Sequence, residues 1–193
     1  MRAPIVALTL LPALAGASLA PAWPAAADTI EEKAAVCVTC HGEQGVPPDP
    51  SFPIIWGQQM GYLYLQLKDF KSLARKNEAM LPFIADLPRE DLLALAEYFS
   101  KKPWPRVEYK ASAADIALAQ PAIVAGQCPT CHLDGFVGSS AIPRLAGQQF
   151  EYLRKTTMDF KTRERANNPF MNGLLASYPD AVVRALSAYA AAR

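Results

Sequence analysis

Apolar residues recur along this chain at steps of three and four, the spacing that lines one face of a helix. No sustained alternation marks a strand. The stretch Gly57–Leu73 sets Tyr62 and Leu65 on one side with Asp69 opposite. Leu92, Leu95 with Ala96, and Phe99 form an apolar stripe, matched near the C-terminus by Val182 with Val183, Leu186 and Tyr189. Each stripe follows a proline, Pro88 or Pro179, where a helix start loses nothing by the missing N–H. Thr29 stands three residues before Glu32 and Ser112 three before Asp115, the capping-box signature of a helix N-terminus. The fold class predicted is all-α.

These segments come in pairs. Residues 53–59 (PIIWGQQ) match 143–149 (PRLAGQQ), and Tyr62-Leu63 falls on Tyr152-Leu153. Asp69-Phe70-Lys71 falls on Asp159-Phe160-Lys161, and Asn77, Met80, Pro88 and Tyr98 meet Asn167, Met171, Pro179 and Tyr189. A one-residue adjustment reconciles offsets of 90 and 91. A duplicated unit of about 80 residues implies two tandem domains, at 28–100 and 111–193. They are joined by a linker at 101–110 whose two prolines favour an extended connector. Domains this small bury little apolar surface unaided, which points to a covalently held group in each core.

Residues 1–27 read as a secretory signal peptide: Arg2, an apolar run from Ile5 to Ala20, and a small-residue site at Ala25-Ala26-Ala27. Retention as an anchor stays open, although the run is short for a span that needs about 20 apolar residues.

Charge is polarised. Residues 28–100 hold 6 basic against 11 acidic side chains, 101–110 hold 4 against 1, and 111–193 hold 8 against 6. Lys68, Lys71, Arg75 and Lys76 precede Met80, and Arg154, Lys155, Lys161, Arg163 and Arg165 precede Met171. Such runs read first as solvated helix faces, and otherwise as charge that steers docking. Nothing in the pattern points to nucleic acid.

The chemistry lies in two pentapeptides, CVTCH at Cys37–His41 and CPTCH at Cys128–His132, which use all 4 cysteines and both histidines. Cys-x-x-Cys-His is the attachment signature of c-type haem: each thiol adds across a vinyl group and the histidine faces the iron. A zinc site would have to join motifs some ninety residues apart and leave both histidines coincidental. Dithiol redox chemistry wants a βαβ context that the periodicity does not offer. With both histidines spent, a second axial ligand must be softer. Met80 lies 39 residues after His41 and Met171 lies 39 after His132, whereas Met60 and Met158 are not shared between the repeats and read as packing. Tyr62, Tyr98, Tyr152 and Tyr189 read first as helix-packing aromatics, with hydroxyls able to meet haem carboxylates.

The order CxxCH, Pro, Gly-Gln, Met and a C-terminal helix with an aromatic, given twice, resembles the dihaem class I cytochromes of the cytochrome c4 type. The dihaem subunits of flavocytochrome c sulfide dehydrogenases share that organisation. The likeness spans the whole mature chain. It departs at Leu133, where a glycine follows His41 in the first repeat, and at Trp56, opposite Ala146. The resemblance implies two class I cytochrome c domains and two covalently bound haem c, held by Cys37, Cys40, Cys128 and Cys131 with His41, Met80, His132 and Met171 on the irons. It also implies that Pro53 and Pro143 offer carbonyls to the histidines. The expected function is periplasmic single-electron transfer between respiratory partners (a quinol-oxidising complex, a terminal oxidase or a dehydrogenase). The alternative is the electron-accepting subunit of a periplasmic dehydrogenase. No catalytic residue is expected. A monomer or a member of a hetero-complex, with loose membrane association left open, fits either reading.

Overall fold

The computed structural model describes residues 28–193, so the signal peptide expected at 1–27 lies outside the described residues. Helix α1 (Ile30–His41) opens on a reciprocal capping box: the Thr29 hydroxyl accepts from the Glu32 N–H, and the Glu32 carboxylate accepts from the Thr29 N–H. It is followed by α2 (Met60–Lys71), a short α3 (Leu81–Ile84) and α4 (Arg89–Ser100). The second half repeats the plan with α5 (Ala113–Ala125), α6 (Cys128–His132), α7 (Phe150–Thr162), α8 (Pro169–Ala176) and α9 (Asp180–Ala191). Among the described residues there is no strand, only one isolated bridge between Ser139 and Ile142. The fold is two tandem all-α domains.

In each domain the last helix packs across both the first and the long middle helix. Close crossing needs small side chains, and the sequence supplies alanines there. Ala34 on α1 and Ala96 on α4 share one buried cluster, and Ala119 on α5 and Ala185 on α9 share another. Further along each domain lie Phe70, Ile84 and Leu92, with Met80 against them, and their counterparts Phe160, Leu175 and Val183, with Met171 against them.

Three local expectations need correction. The helix read over Gly57–Leu73 is shorter at both ends, because Gly57 (φ +65°) and Leu73 (φ +62°) take left-handed backbone and the Gly57 N–H turns to the Phe99 carbonyl. In the second domain the capping helix does not run into the cysteine motif as α1 does. α5, which carries Pro121 within it, ends at Ala125, and α6 begins afresh after Gln127 at φ +49° with Pro129 in its first turn, where the missing N–H costs nothing. The Ser112 box is also only half formed: Ser112 accepts from the Asp115 N–H, but the Asp115 carboxylate bonds to the Ser112 hydroxyl and to Arg184.

Residues 103–112 carry no helix, turn or strand. Trp104 lies against the two repeat-matched glycines. A Cβ on Gly57 would come within 2.8 Å of the Trp104 nitrogen, and one on Gly147 within 3.3 Å of its indole Nε1. Arg144 stacks over the same indole at 4.6 Å.

The domains meet through the repeated glutamine motif. Gln58 donates to the Arg144 carbonyl (2.9 Å) and accepts from the Arg144 N–H (2.8 Å). Gln148 makes the same two bonds to Ile54, at 2.9 and 2.8 Å. Both side chains are 3% exposed. The first-turn N–H of Tyr62 on α2 finds the Ser140 carbonyl across the interface, and that of Tyr152 on α7 finds the Pro50 carbonyl, each at 3.1 Å. Each helix therefore satisfies an orphan donor with the other domain's backbone.

Candidate functional site

Each Cys-x-x-Cys-His motif sits on a helix that delivers its histidine to the interior. His41 ends α1 and His132 ends α6, at 6% and 9% exposure. The His41 Nδ1 bonds to the Pro53 carbonyl at 2.8 Å and the His132 Nδ1 to the Pro143 carbonyl at 3.0 Å. A carbonyl only accepts, so Nδ1 carries the proton and Nε2 keeps its lone pair. Burial also pushes both imidazoles below their ordinary pKa, against the proline bond, so each is neutral. A neutral ring with a bare Nε2 is what a metal ligand requires.

The thiols are unpaired, and burial pushes Cys37 up to about 11 and raises Cys128. That is the opposite of an activated dithiol, whose thiolate must form near neutral pH. The two motifs stay in separate domains. Among the described residues no three histidine, cysteine, aspartate or glutamate side chains group to hold a metal ion. A zinc site shared between the motifs is therefore not built. The donor set of thiol pair, neutral histidine and a methionine from a following segment fits haem c in each domain.

Met80 caps α3 and packs with Phe70, Ile84 and Leu92; Met171 lies in the first turn of α8 beside Phe160, Leu175 and Val183. The loops leading to them are pinned alike, the Asn77 carboxamide accepting from the Met80 N–H and that of Asn168 from the Met171 N–H, both at 3.1 Å. Met158 packs in the Met171 cluster. Met60, read as a packing residue, instead stands 39% exposed at the start of α2.

The charge run reading also changes. Arg165 is 6% exposed and Arg75 is half-buried, and both face the other domain instead of solvent. The Arg75 guanidinium donates to the Tyr152 hydroxyl (3.2 Å) and to Gln66 Oε1 (3.0 Å). Arg165 donates to the Tyr62 hydroxyl (3.3 Å) and to the same Gln66 oxygen (2.7 Å). Tyr62 and Tyr152 thus serve the interface, while Tyr98 and Tyr189 pack edge-on against Phe99 and Phe136. Sequence reasoning missed Gln58, Gln148, Gln66 and the two arginines as interface groups. The available signal was that Gln58 with Gln148, and Arg75 with Arg165, fall at the repeat offset of 90.

Two domains built this way define a class, the dihaem c-type cytochromes assembled from class I domains. Comparison with known proteins narrows it. Cytochrome c4 of Thiocapsa roseopersicina is 35% identical over 169 residues, covering 80% of this chain and 85% of that protein. The crystal structure of reduced recombinant cytochrome c4 from Pseudomonas stutzeri superposes with a TM-score of 0.74 at 30% identity, covering 84% of this chain and 96% of that one. A thiosulfate dehydrogenase electron acceptor of Thiomonas intermedia (strain K12) is 32% identical over 203 residues, 98% of this chain and 90% of the relative. No protein-family model matches the chain. The chain belongs to the cytochrome c4 family. It is a dihaem electron-transfer protein with two covalently bound haem c, an electron carrier and not an enzyme, and it works with redox partners.

Proposed function

We propose that the chain carries single electrons in the periplasm from a quinol-oxidising complex to a terminal oxidase. In domain 28–100, Cys37 and Cys40 would attach one haem, and His41 and Met80 would ligate its iron. In domain 111–193, Cys128 and Cys131 would attach the other, with His132 and Met171 on its iron, and 101–110 is the linker. The observation that carries this reading is the duplicated bond from histidine Nδ1 to a proline carbonyl.

When bound, haem supplies a one-electron ferric–ferrous couple. The residues do the rest. Pro53 and Pro143 fix the tautomer and ring orientation of each histidine and make it a better donor. Met80 and Met171 contribute a soft thioether, which raises the potential relative to a second imidazole. Gln58 and Gln148 hold the domains in one arrangement, so that passage between the two sites requires no domain movement. An apolar leader ahead of Asp28, and the attachment of c-type haem outside the cytoplasm, support export. Among the described residues no helix is long and apolar enough to cross a membrane.

The match to a thiosulfate dehydrogenase electron acceptor favours one second reading, acceptance of electrons from a periplasmic dehydrogenase. The two are separated by offering the reduced holoprotein to membranes of the source cell and following its oxidation under oxygen. Rapid oxidation that scales with protein concentration supports the carrier reading. Failure there, with rapid reduction of the oxidised protein by a thiosulfate-oxidising enzyme, favours the acceptor reading.

A further inference from the structure

The linker and the second domain enclose an open cleft of about 220 Å³ whose charge is unbalanced. Its walls include Trp104, Arg106, Arg144, Gly147 and Arg193, and no carboxylate side chain. None of the three guanidinium groups forms an ion pair among the described residues. Only one of their nitrogens meets an acceptor, the Arg144 Nε, which donates to the Ala146 carbonyl at 3.1 Å.

Arg144 is fixed in place. Its guanidinium lies over the Trp104 indole at 4.6 Å, and Gln58 holds its backbone N–H and C=O. Gly147 leaves room for the indole, since a Cβ there would come within 3.3 Å of Nε1. Burial pushes the Arg144 guanidinium below its ordinary pKa, and no neighbouring carboxylate offsets that. With Nε bonded and the plane set, Nη1 and Nη2 remain as a preoriented pair of donors. That fork takes an oxyanion through two parallel hydrogen bonds. Three cations around one small cleft favour a doubly charged ion over a singly charged one.

The position of Arg144 gives the site an effect. The peptide joining Pro143 to Arg144 accepts from His132 Nδ1 at 3.0 Å through its oxygen and donates to Gln58 Oε1 at 2.8 Å through its N–H. The cation therefore stands one residue from the group that orients the second-domain histidine. The first domain has no counterpart, because the repeat offset of 90 puts Ile54 there, 1% exposed. We propose that Arg144, with Arg106 and Arg193, forms a binding site for a small tetrahedral dianion of the sulfate or phosphate class, whose occupancy lowers the potential of the second-domain haem. This rests on the haem assignment above. A bound dianion stabilises the ferric state, and by reciprocity the ferric protein binds the dianion more tightly.

Redox titration of the holoprotein tests it, with sodium sulfate exchanged for sodium chloride at constant ionic strength. Mass spectrometry first verifies two haems on every variant, and Met171→Ala identifies the wave of the second domain, so a failure of the haem reading is scored separately. At saturating sulfate the reduction equilibrium of that haem should fall about fivefold, which is ~40 mV at about 59 mV per decade. The first-domain haem should move far less. Arg144→Gln should abolish the response. Arg106→Gln changes an exposed side chain, leaves the stack of Arg144 on Trp104 in place, and should weaken it. Sodium acetate, a monoanion, should move neither midpoint. Wild-type midpoints that ignore sulfate, or that follow it equally in Arg144→Gln, would overturn the proposal. An equal response to acetate would give the cleft to carboxylates and overturn it as well.

Discussion

Gly45 lies directly beneath the Trp56 indole: a Cβ at Gly45 would come within 2.7 Å of the ring atoms Cγ and Cδ2. In the second domain the sizes are exchanged, because Phe136 occupies the position of Gly45 and Ala146 that of Trp56, and these two share one buried cluster. Both turns use left-handed backbone, at φ +82° and +59°. One aromatic ring fills each space, supplied from opposite sides. Trp56→Ala alone should cost about 3–5 kcal/mol by leaving a cavity, and Gly45→Phe alone should be worse through overlap. The double variant Gly45→Phe with Trp56→Ala should be more stable than either single one, as a denaturant double-mutant cycle will measure.

Leu133 follows the second motif at φ +61°, ψ 169°, a region normally left to glycine, where the first motif has Gly42. Its side chain is 41% exposed, so little burial offsets the strain. Leu133→Gly should raise stability by about 1 kcal/mol, a rise in Tm of roughly 2–4 °C. Gly42→Leu should do the reverse, since a Cβ there would meet the Val46 carbonyl oxygen at 2.0 Å. A thermal melt of the two holoproteins decides this.

The glutamine clamps make a third prediction. Gln58→Ala strands the backbone N–H and C=O of Arg144 in a buried junction, and Gln148→Ala strands those of Ile54. Each should cost about 1–3 kcal/mol. With both removed, unfolding followed at the haem should split into two transitions, one per domain, where a single transition is expected of the wild type.

Ligand removal gives a fourth. Met80→Ala and Met171→Ala should each lower the potential of one haem and open its iron to carbon monoxide. Met60→Leu and Met158→Leu should leave the low-spin spectrum unchanged, the first because Met60 is exposed and the second because a volume-conserving swap is tolerated. Carbon monoxide difference spectra check all four.

The charge polarity gives the fifth. Between residues 28 and 100 acids outnumber bases 11 to 6, and between 111 and 193 bases outnumber acids 8 to 6. Negative surroundings stabilise the ferric state and lower the potential, so the haem of the second domain should be reduced first. The gap should narrow as salt screens the surface. Titration of the Met80 and Met171 variants identifies which wave belongs to which domain.

What was legible in the sequence was local or covalent. Helical periodicity, the capping threonine and the two haem pentapeptides carry their meaning within a few residues. The interface was not legible, because Gln58, Gln148, Arg75 and Arg165 have the composition of solvated surface. Their burial depends on a second domain arriving opposite them. The break between α5 and α6 falls at the left-handed Gln127, just before a motif read for its cysteines. Trp56 looked like a departure from pattern because its compensation, Gly45, lies eleven residues earlier.

The two clamps have a consequence for assembly. Gln58 grips the second domain as Gln148 grips the first, so the junction is isologous: one face meets its own likeness. Such a face is consumed when two copies meet. Neither amide is left over to recruit a third, and the duplication closes on itself as a symmetric dimer would, on a single chain. This junction accounts for two haems, and electrons enter and leave the pair by encounter with redox partners.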